Sequence, residues 1–150
     1  MPLRVFSTLS NEKQDFVPLR PGRVGLYVCG ITVYDLSHMG HARMLVAFDV
    51  MVRYLRWAGW EVAFVRNWTD VDDKIIRRAQ ERGEDPKRFA EHFIEECKRD
   101  MQALNVMPAD VEPKATDHIA QMLELIARLI ERGNAYASQG DVQFHFRRVT

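Results

Sequence analysis

A chain of 150 residues can fold as one domain that buries roughly 70% of the surface its unfolded form exposes. Its 21 basic and 21 acidic residues give zero formal net charge, which removes the usual pointer to a dedicated nucleic-acid module and leaves room only for a local basic face. Hydrophobic content of 47% and charged content of 28% are those of an ordinary globular protein.

The start, Met-Pro-Leu-Arg-Val-Phe, lacks the build of a signal peptide, and no apolar run approaches the ~20 residues of a membrane helix. Cys29 and Cys97 have no paired spacing, so a disulfide framework is not expected and a reducing, cytoplasmic compartment is.

In chain order, Leu3 to Leu9 and Phe16 to Leu19 read as two strands around a polar turn. Pro21-Gly22 is a break. Arg23 to Cys29, rich in Val, Leu and Tyr, is expected to be the first core strand. The apolar stretch from His41 to Ala58 predicts a helix closed by Gly59, packed between a sheet and other elements. Glu61 to Trp68 is a second strand, and a strand–helix–strand unit implies parallel pairing and an α/β sheet.

Thr69-Asp70 is expected to open a helix through Arg82, ended by Gly83. Asp85-Pro86 caps the next one, which runs to about Leu104 with Phe89, Phe93, Ile94, Cys97 and Met101 near one face. Val106 to Lys114 holds two prolines and reads as a connector. Beyond it, a helix capped by Thr116 runs to Arg132, and Ala135 to Phe146 forms a hairpin turning at Ser138-Gln-Gly140. Organisation changes at the connector, so residues 1–113 and 114–150 are expected to be separate units.

The chemistry concentrates between Cys29 and Arg43. A strand end, a turn with glycine and two histidines, and a helix start together make a phosphate site, since a helix N-terminus offers free N–H groups and partial positive charge. His38 and His41, one helical turn apart, can donate hydrogen bonds to a phosphate whose charge changes during transfer. Metal binding by the pair would want more ligands nearby, and no HExxH pattern is present. Asp70, Asp72 and Asp73 suit the dipole of the following helix better than they suit a magnesium site. Trp57, Trp60 and Trp68 read as packing residues, Cys97 as core, and His92, His118 and His145 as ordinary helix or strand residues.

The run Cys29-Gly-Ile-Thr-Val-Tyr-Asp-Leu-Ser-His-Met-Gly-His-Ala-Arg43 resembles the first signature of class I aminoacyl-tRNA synthetases in the form found in cysteinyl-tRNA synthetases. Val65-Arg-Asn-Trp-Thr-Asp-Val-Asp-Asp-Lys74 and Glu112-Pro-Lys-Ala-Thr-Asp-His-Ile119 resemble the same family, so the similarity runs in order along most of the chain. The resemblance implies a Rossmann-type parallel sheet flanked by helices, here the first half of the catalytic domain, followed from residue 114 by the start of an inserted connective domain.

It also implies activation of L-cysteine with ATP and Mg2+, then transfer to tRNA(Cys), by a monomeric parent. His38 and His41 match the residues that stabilise the phosphates, Gly40 the glycine under the adenine, and Thr32 a residue of the same ATP turn. Met39 replaces the commoner isoleucine, a volume-conserving change. Cys29, Gly30 and Thr69 match the cysteine pocket, with Cys29 as the first ligand of a Zn2+ ion whose cysteine, histidine and glutamate partners lie beyond residue 150. A soft thiolate ligand on zinc is a sound basis for selecting cysteine over serine.

The family's lysine–serine signature loop is absent from these residues, so the chain by itself is expected not to make cysteinyl adenylate efficiently. Two other readings compete. One is a related ligase joining cysteine to a sugar amine; the other is a small HxGH nucleotidyltransferase, for which this length would suffice.

Overall fold

Strand β3 (Arg23–Val28) forms because Val24, Leu26 and Val28 fall on one side of a pleated chain, and its partner β4 (Glu61–Arg66) repeats the pattern with Val62 and Phe64. In the computed structural model, which describes residues 3–145, the two pair in parallel with Val24 opposite Val62 and Val28 opposite Arg66. The crossover is helix α1 (Met39–Trp57), which turns Leu45, Asp49, Val52 and Leu55 inward at helical spacing. Val24, Val28, Val52, Leu55, Val62 and Phe64 make the resulting core. Each fully buried side chain of this size contributes about 1.5–3 kcal/mol.

Helices α2 (Asp73–Arg82) and α3 (Pro86–Ala103) build a second core below the ends of the strands, joining Ile31, Val33 and Trp68 to Ile75, Phe89, Phe93 and Ile94. Their boundaries follow local chemistry. Gly83 ends α2 at φ 66°, and the Asp85 carboxylate accepts from the Arg88 N–H at 3.0 Å, with Pro86 in the first turn of α3. Cys97 is buried on the predicted apolar face of α3.

A 3-10 turn (Ala115–His118) leads into α4 (Ile119–Glu131) and the hairpin β5 (Ala135–Ser138) and β6 (Asp141–Phe144). Ser138 pairs with Asp141, and the two turn residues Gln139 and Gly140 sit at φ 52° and 90°, the combination a tight hairpin needs. Phe146, expected as the last residue of this hairpin, lies outside the described residues. No helix among them is long and apolar enough to cross a membrane.

Several expectations are corrected. The second N-terminal strand is the polar β2 (Glu12–Asp15), paired antiparallel with β1 (Arg4–Ser7), because Asn11 at φ 56° turns the chain early. Phe16 follows β2, its N–H still on the Leu3 carbonyl at 2.8 Å, and its ring stacks on Trp60 with centroids 4.9 Å apart. Helix α1 begins two residues before His41, and only one of its faces is covered among the described residues. Val50, Tyr54 and Trp57 are exposed, so Trp57 is not a packing residue here as Trp60 and Trp68 are.

Thr69 does not cap α2; Asp72 does, accepting from the Lys74 N–H at 2.8 Å. Thr116 caps no helix either. Its N–H and hydroxyl both go to Asp70, at 3.0 and 2.5 Å, and Asp70 is buried rather than solvated at a helix start. The 106–114 connector is also more than a link. It runs beside β4, with Arg66 N–H on the Val111 carbonyl and Trp68 N–H on the Pro113 carbonyl. Asp49, buried in α1, fastens its start by accepting the Met107 N–H at 3.0 Å.

Candidate functional site

The candidate residues gather at the carboxyl end of the parallel pair, where open α/β sheets bind ligands. Past Val28 and Arg66 the two strands lose their regular ladder for a few residues and then rejoin. Thr69 N–H donates to the Ile31 carbonyl and Val33 N–H to the Thr69 carbonyl, both at 3.2 Å, with Thr32 bridged to Thr69. Cys29 and Gly30 occupy the gap.

Gly30 is there for a steric reason. A Cβ at this position would lie 1.4 Å from the Asn67 carbonyl oxygen, so only hydrogen fits. Its N–H donates to Asn67 Oδ1 at 2.8 Å, and Asn67 Nδ2 donates to Thr69 Oγ1 at 3.3 Å. Asn67 thus ties together the two sides of the predicted amino-acid pocket. Asn67 stands in the Val65–Lys74 block without a role that the sequence alone assigns. Its signal is a lone amide two residues before Thr69, which is indistinguishable from a loop asparagine until the register of the two strands is known.

Cys29 is exposed at the strand end, whereas burial pushes the Cys97 thiol up, an effect that a hydrogen bond from Ser37 partly offsets. The described residues contain no group of three or more His, Cys, Asp and Glu side chains able to hold a metal ion. Cys29 carries a soft sulfur donor of the kind zinc takes, and the described residues do not complete a tetrahedral set around it.

The histidines form the entry to α1. His38 is its N-cap, with Nδ1 accepting the Gly40 N–H at 3.0 Å, while His41 Nδ1 accepts the His38 N–H at 3.2 Å. This is a capping box made from two imidazoles, and their rings stack with centroids 3.8 Å apart. Each Nδ1 accepts a backbone hydrogen, which assigns the proton of each neutral ring to Nε2. The pair therefore offers two Nε2–H donors at a helix N-terminus. Gly40 has a structural duty as well: a Cβ there would come within 2.8 Å of His38 Cε1. Two contacts from α2 brace the turn, Lys74 Nζ 5.3 Å from the centre of the Tyr34 ring and Arg78 3.6 Å from the Asp35 carboxylate.

Desolvation, and then the neighbouring His38, hold the His41 pKa below the ordinary histidine value. The unfolded chain binds the proton more readily, so His41 contributes stability in full above the unfolded pKa, and that contribution is lost as pH falls through the lowered folded value. Protonation would also place hydrogen on Nδ1, ending its cap bond, and put a cation at the positive end of the helix. Urea midpoints measured between about pH 8 and about pH 5 should fall toward acid, and His41→Gln should flatten that slope, since glutamine can close a capping box without titrating. An unchanged slope in the variant would remove His41 from this account.

Away from this site, a groove of about 510 Å³ opens at the amino end of β3 and β4, lined by Phe16, Leu19, Arg23 and Glu61 among others. None of the candidate site residues lines it, and it lies at the wrong end of the strands for this chemistry.

Comparison with known proteins bears directly on the arrangement. The sequence model of the family described as "tRNA synthetases class I (C) catalytic domain" matches residues 15–150. A cysteine–tRNA ligase from Geobacter metallireducens is 57% identical over 144 residues, covering 96% of this chain and 30% of that protein. One from Magnetococcus marinus is 52% identical over 142 residues, 95% of this chain and 29% of that protein. The chain thus spans about a third or less of the length of these curated relatives, matching their N-terminal portion. Among solved structures, methionyl-tRNA synthetase of Mycobacterium tuberculosis, in complex with methionyl-adenylate, superposes with TM-score 0.66 at 26% identity, over 75% of this chain and 23% of that one. A leucyl-tRNA synthetase of Agrobacterium radiobacter, 23% identical with TM-score 0.65 over 81% of this chain and 16% of that one, shares the fold.

Proposed function

This chain belongs to the family of class I (C) tRNA synthetase catalytic domains, and from that premise we propose that it supplies the ATP-binding half of a cysteine–tRNA ligase. The observation that carries the reading is the double-histidine capping box at the start of α1. Two neutral Nε2–H donors, fixed by the backbone, sit where the partial charge of the helix already favours phosphate. As the carboxylate oxygen of the amino acid forms its bond to the α-phosphorus of ATP and pyrophosphate leaves, charge builds on the bridging and non-bridging oxygens. Preorganised donors stabilise that change more than they stabilise bound ATP.

In this reading His38, His41, Gly40 and Thr32 hold ATP, with Mg2+ as its companion ion, while Cys29, Gly30 and Thr69 bound the cysteine pocket. Cys29 is the zinc ligand that this segment would contribute, its partners coming from beyond residue 150. Residues 114–150 begin the inserted connective domain. In support, α4 buries none of its residues, and its main contacts are with the 3-10 turn and β5. The acceptor is tRNA(Cys), the parent is a monomer, and its place is the cytoplasm.

The test is cysteine-dependent ATP–pyrophosphate exchange. The isolated chain should give none above background. A chimera in which it replaces the matching N-terminal segment of the Geobacter metallireducens relative should restore exchange. Replacing either histidine by alanine in that chimera should lower kcat by about 10²–10³-fold, the usual worth of a preorganised donor. Robust exchange by the isolated chain, or full activity without His38 and His41, would overturn the proposal.

A further inference from the structure

We infer that Asn67 is a positioning residue that sets the polarity of the Thr69 hydroxyl, making it a hydrogen-bond donor toward an anionic acceptor on the amino-acid substrate. The inference rests on the reading of Thr69 as a wall of that pocket.

A backbone N–H can only donate, so the Gly30 N–H, 2.8 Å from the Asn67 side chain, fixes which end of the amide is oxygen. The other end must then be the NH2 group, and it lies 3.3 Å from Thr69 Oγ1. That oxygen therefore accepts, and the hydroxyl's own hydrogen is left to donate elsewhere. The Thr69 backbone cannot move to change this, because its N–H and carbonyl are both held in the Ile31 and Val33 bonds. The Asn67 backbone packs directly on Gly30, its carbonyl oxygen at a distance that would clash with any side chain there.

Asn67, Thr69 and Gly30 are all half-buried, so water competes only partly for these bonds. A hydroxyl held as a donor favours a thiolate or carboxylate over a group that must itself donate. The serine hydroxyl of a competing substrate gains less from such a wall.

Asn67→Asp separates this role from a merely structural one. Aspartate keeps the oxygen that accepts the Gly30 N–H, so the strand junction is preserved, but its second oxygen makes Thr69 donate to it. In the grafted chimera, N67D should raise the cysteine KM in pyrophosphate exchange by about 10-fold or more while leaving the ATP KM within about 2-fold. Thr69→Val should raise it by a similar factor, and Thr69→Ser should stay near the parent. The double variant N67D/T69V should be no worse than T69V alone, because the first change acts only through the hydroxyl that the second removes.

A simple charge effect of the new carboxylate would add to the T69V loss, and additivity overturns the inference. So does an unchanged cysteine KM in N67D. An unchanged KM in T69V instead sinks the pocket reading on which the inference rests. Amide exchange at Gly30 in the 150-residue chain checks folding independently: protection should persist in N67D and fall in Asn67→Ala.

Discussion

Gly30→Ala is expected to cost at least about 4 kcal/mol, placing it in the rare class of very large single-residue effects. Most of the domain's total stability, about 5–15 kcal/mol for proteins of this kind, would be at risk. The cause is contact rather than conformation. A Cβ 1.4 Å from the Asn67 carbonyl oxygen and 2.6 Å from its carbon meets backbone on both counts, and backbone cannot rotate aside. The strands must separate at that point. Separation breaks the Gly30 bond to Asn67 and disturbs the Thr32–Thr69 bridge beyond it.

Gly40→Ala is the informative comparison. Its clash, at 2.8 Å, is with the end of the His38 ring, which can swing away at the cost of the cap bond. That loss is about 1 kcal/mol. Urea denaturation should therefore show a midpoint lowered by about 2 M for Gly30→Ala, and by about a quarter of that for Gly40→Ala, taking a slope of about 2 kcal/mol/M. Equal shifts would mean that the strand junction is softer than its contacts imply.

The difference between these two glycines also shows what a sequence can reveal. Local chemistry was legible wherever one segment decides its own form. The β3–α1–β4 unit follows from strand and helix periodicities in succession, the start of α3 from Asp85-Pro86, and the β5–β6 turn from Gln139-Gly140. The two histidines were likewise read correctly as neighbours, being one helical turn apart.

What was not legible depends on register between distant segments. Thr69 looks like a helix cap because threonine caps helices. Only its pairing with Thr32 across the sheet shows that it belongs to an extended strand end. Asp70 looks like one of three carboxylates at a helix start, and nothing local says that Thr116 will cover it. Asn67 was missed for the same reason, its partners being Gly30 on another strand and a hydroxyl two residues away. Trp57 fails differently: a large apolar residue near the end of an apolar helix was expected inside, and it lies on the uncovered face.

Glu112→Ala is expected to be the second most damaging change, at about 3–5 kcal/mol, through the charge it leaves behind. Arg66 faces the core side of β4 with its side chain 4% exposed, and its Nη2 donates to Glu112 Oε1 at 2.5 Å. Glu112 is 19% exposed, and the same oxygen also accepts the Ala109 N–H at 3.2 Å. Arg66 Nε, buried as well, has no hydrogen-bond partner, so the guanidinium has no reserve acceptor to turn to.

Removing the carboxylate strands a cation in a place where water cannot solvate it, and desolvation outweighs everything else in the comparison. By contrast, the Arg4–Asp15 pair, 57% and 67% exposed, should lose less than about 1 kcal/mol when Asp15 is replaced by alanine. The control that isolates the mechanism is the double replacement Arg66→Met with Glu112→Leu. It removes both charges and keeps apolar volume, and it should recover most of the loss measured for Glu112→Ala by urea midpoint. Recovery would identify the unpaired charge as the cause. A double variant as unstable as the single one would instead locate the loss in the Ala109 bond and the seating of residues 106–114 along β4, and so in the backbone that carries Asn67 and Thr69 to the site.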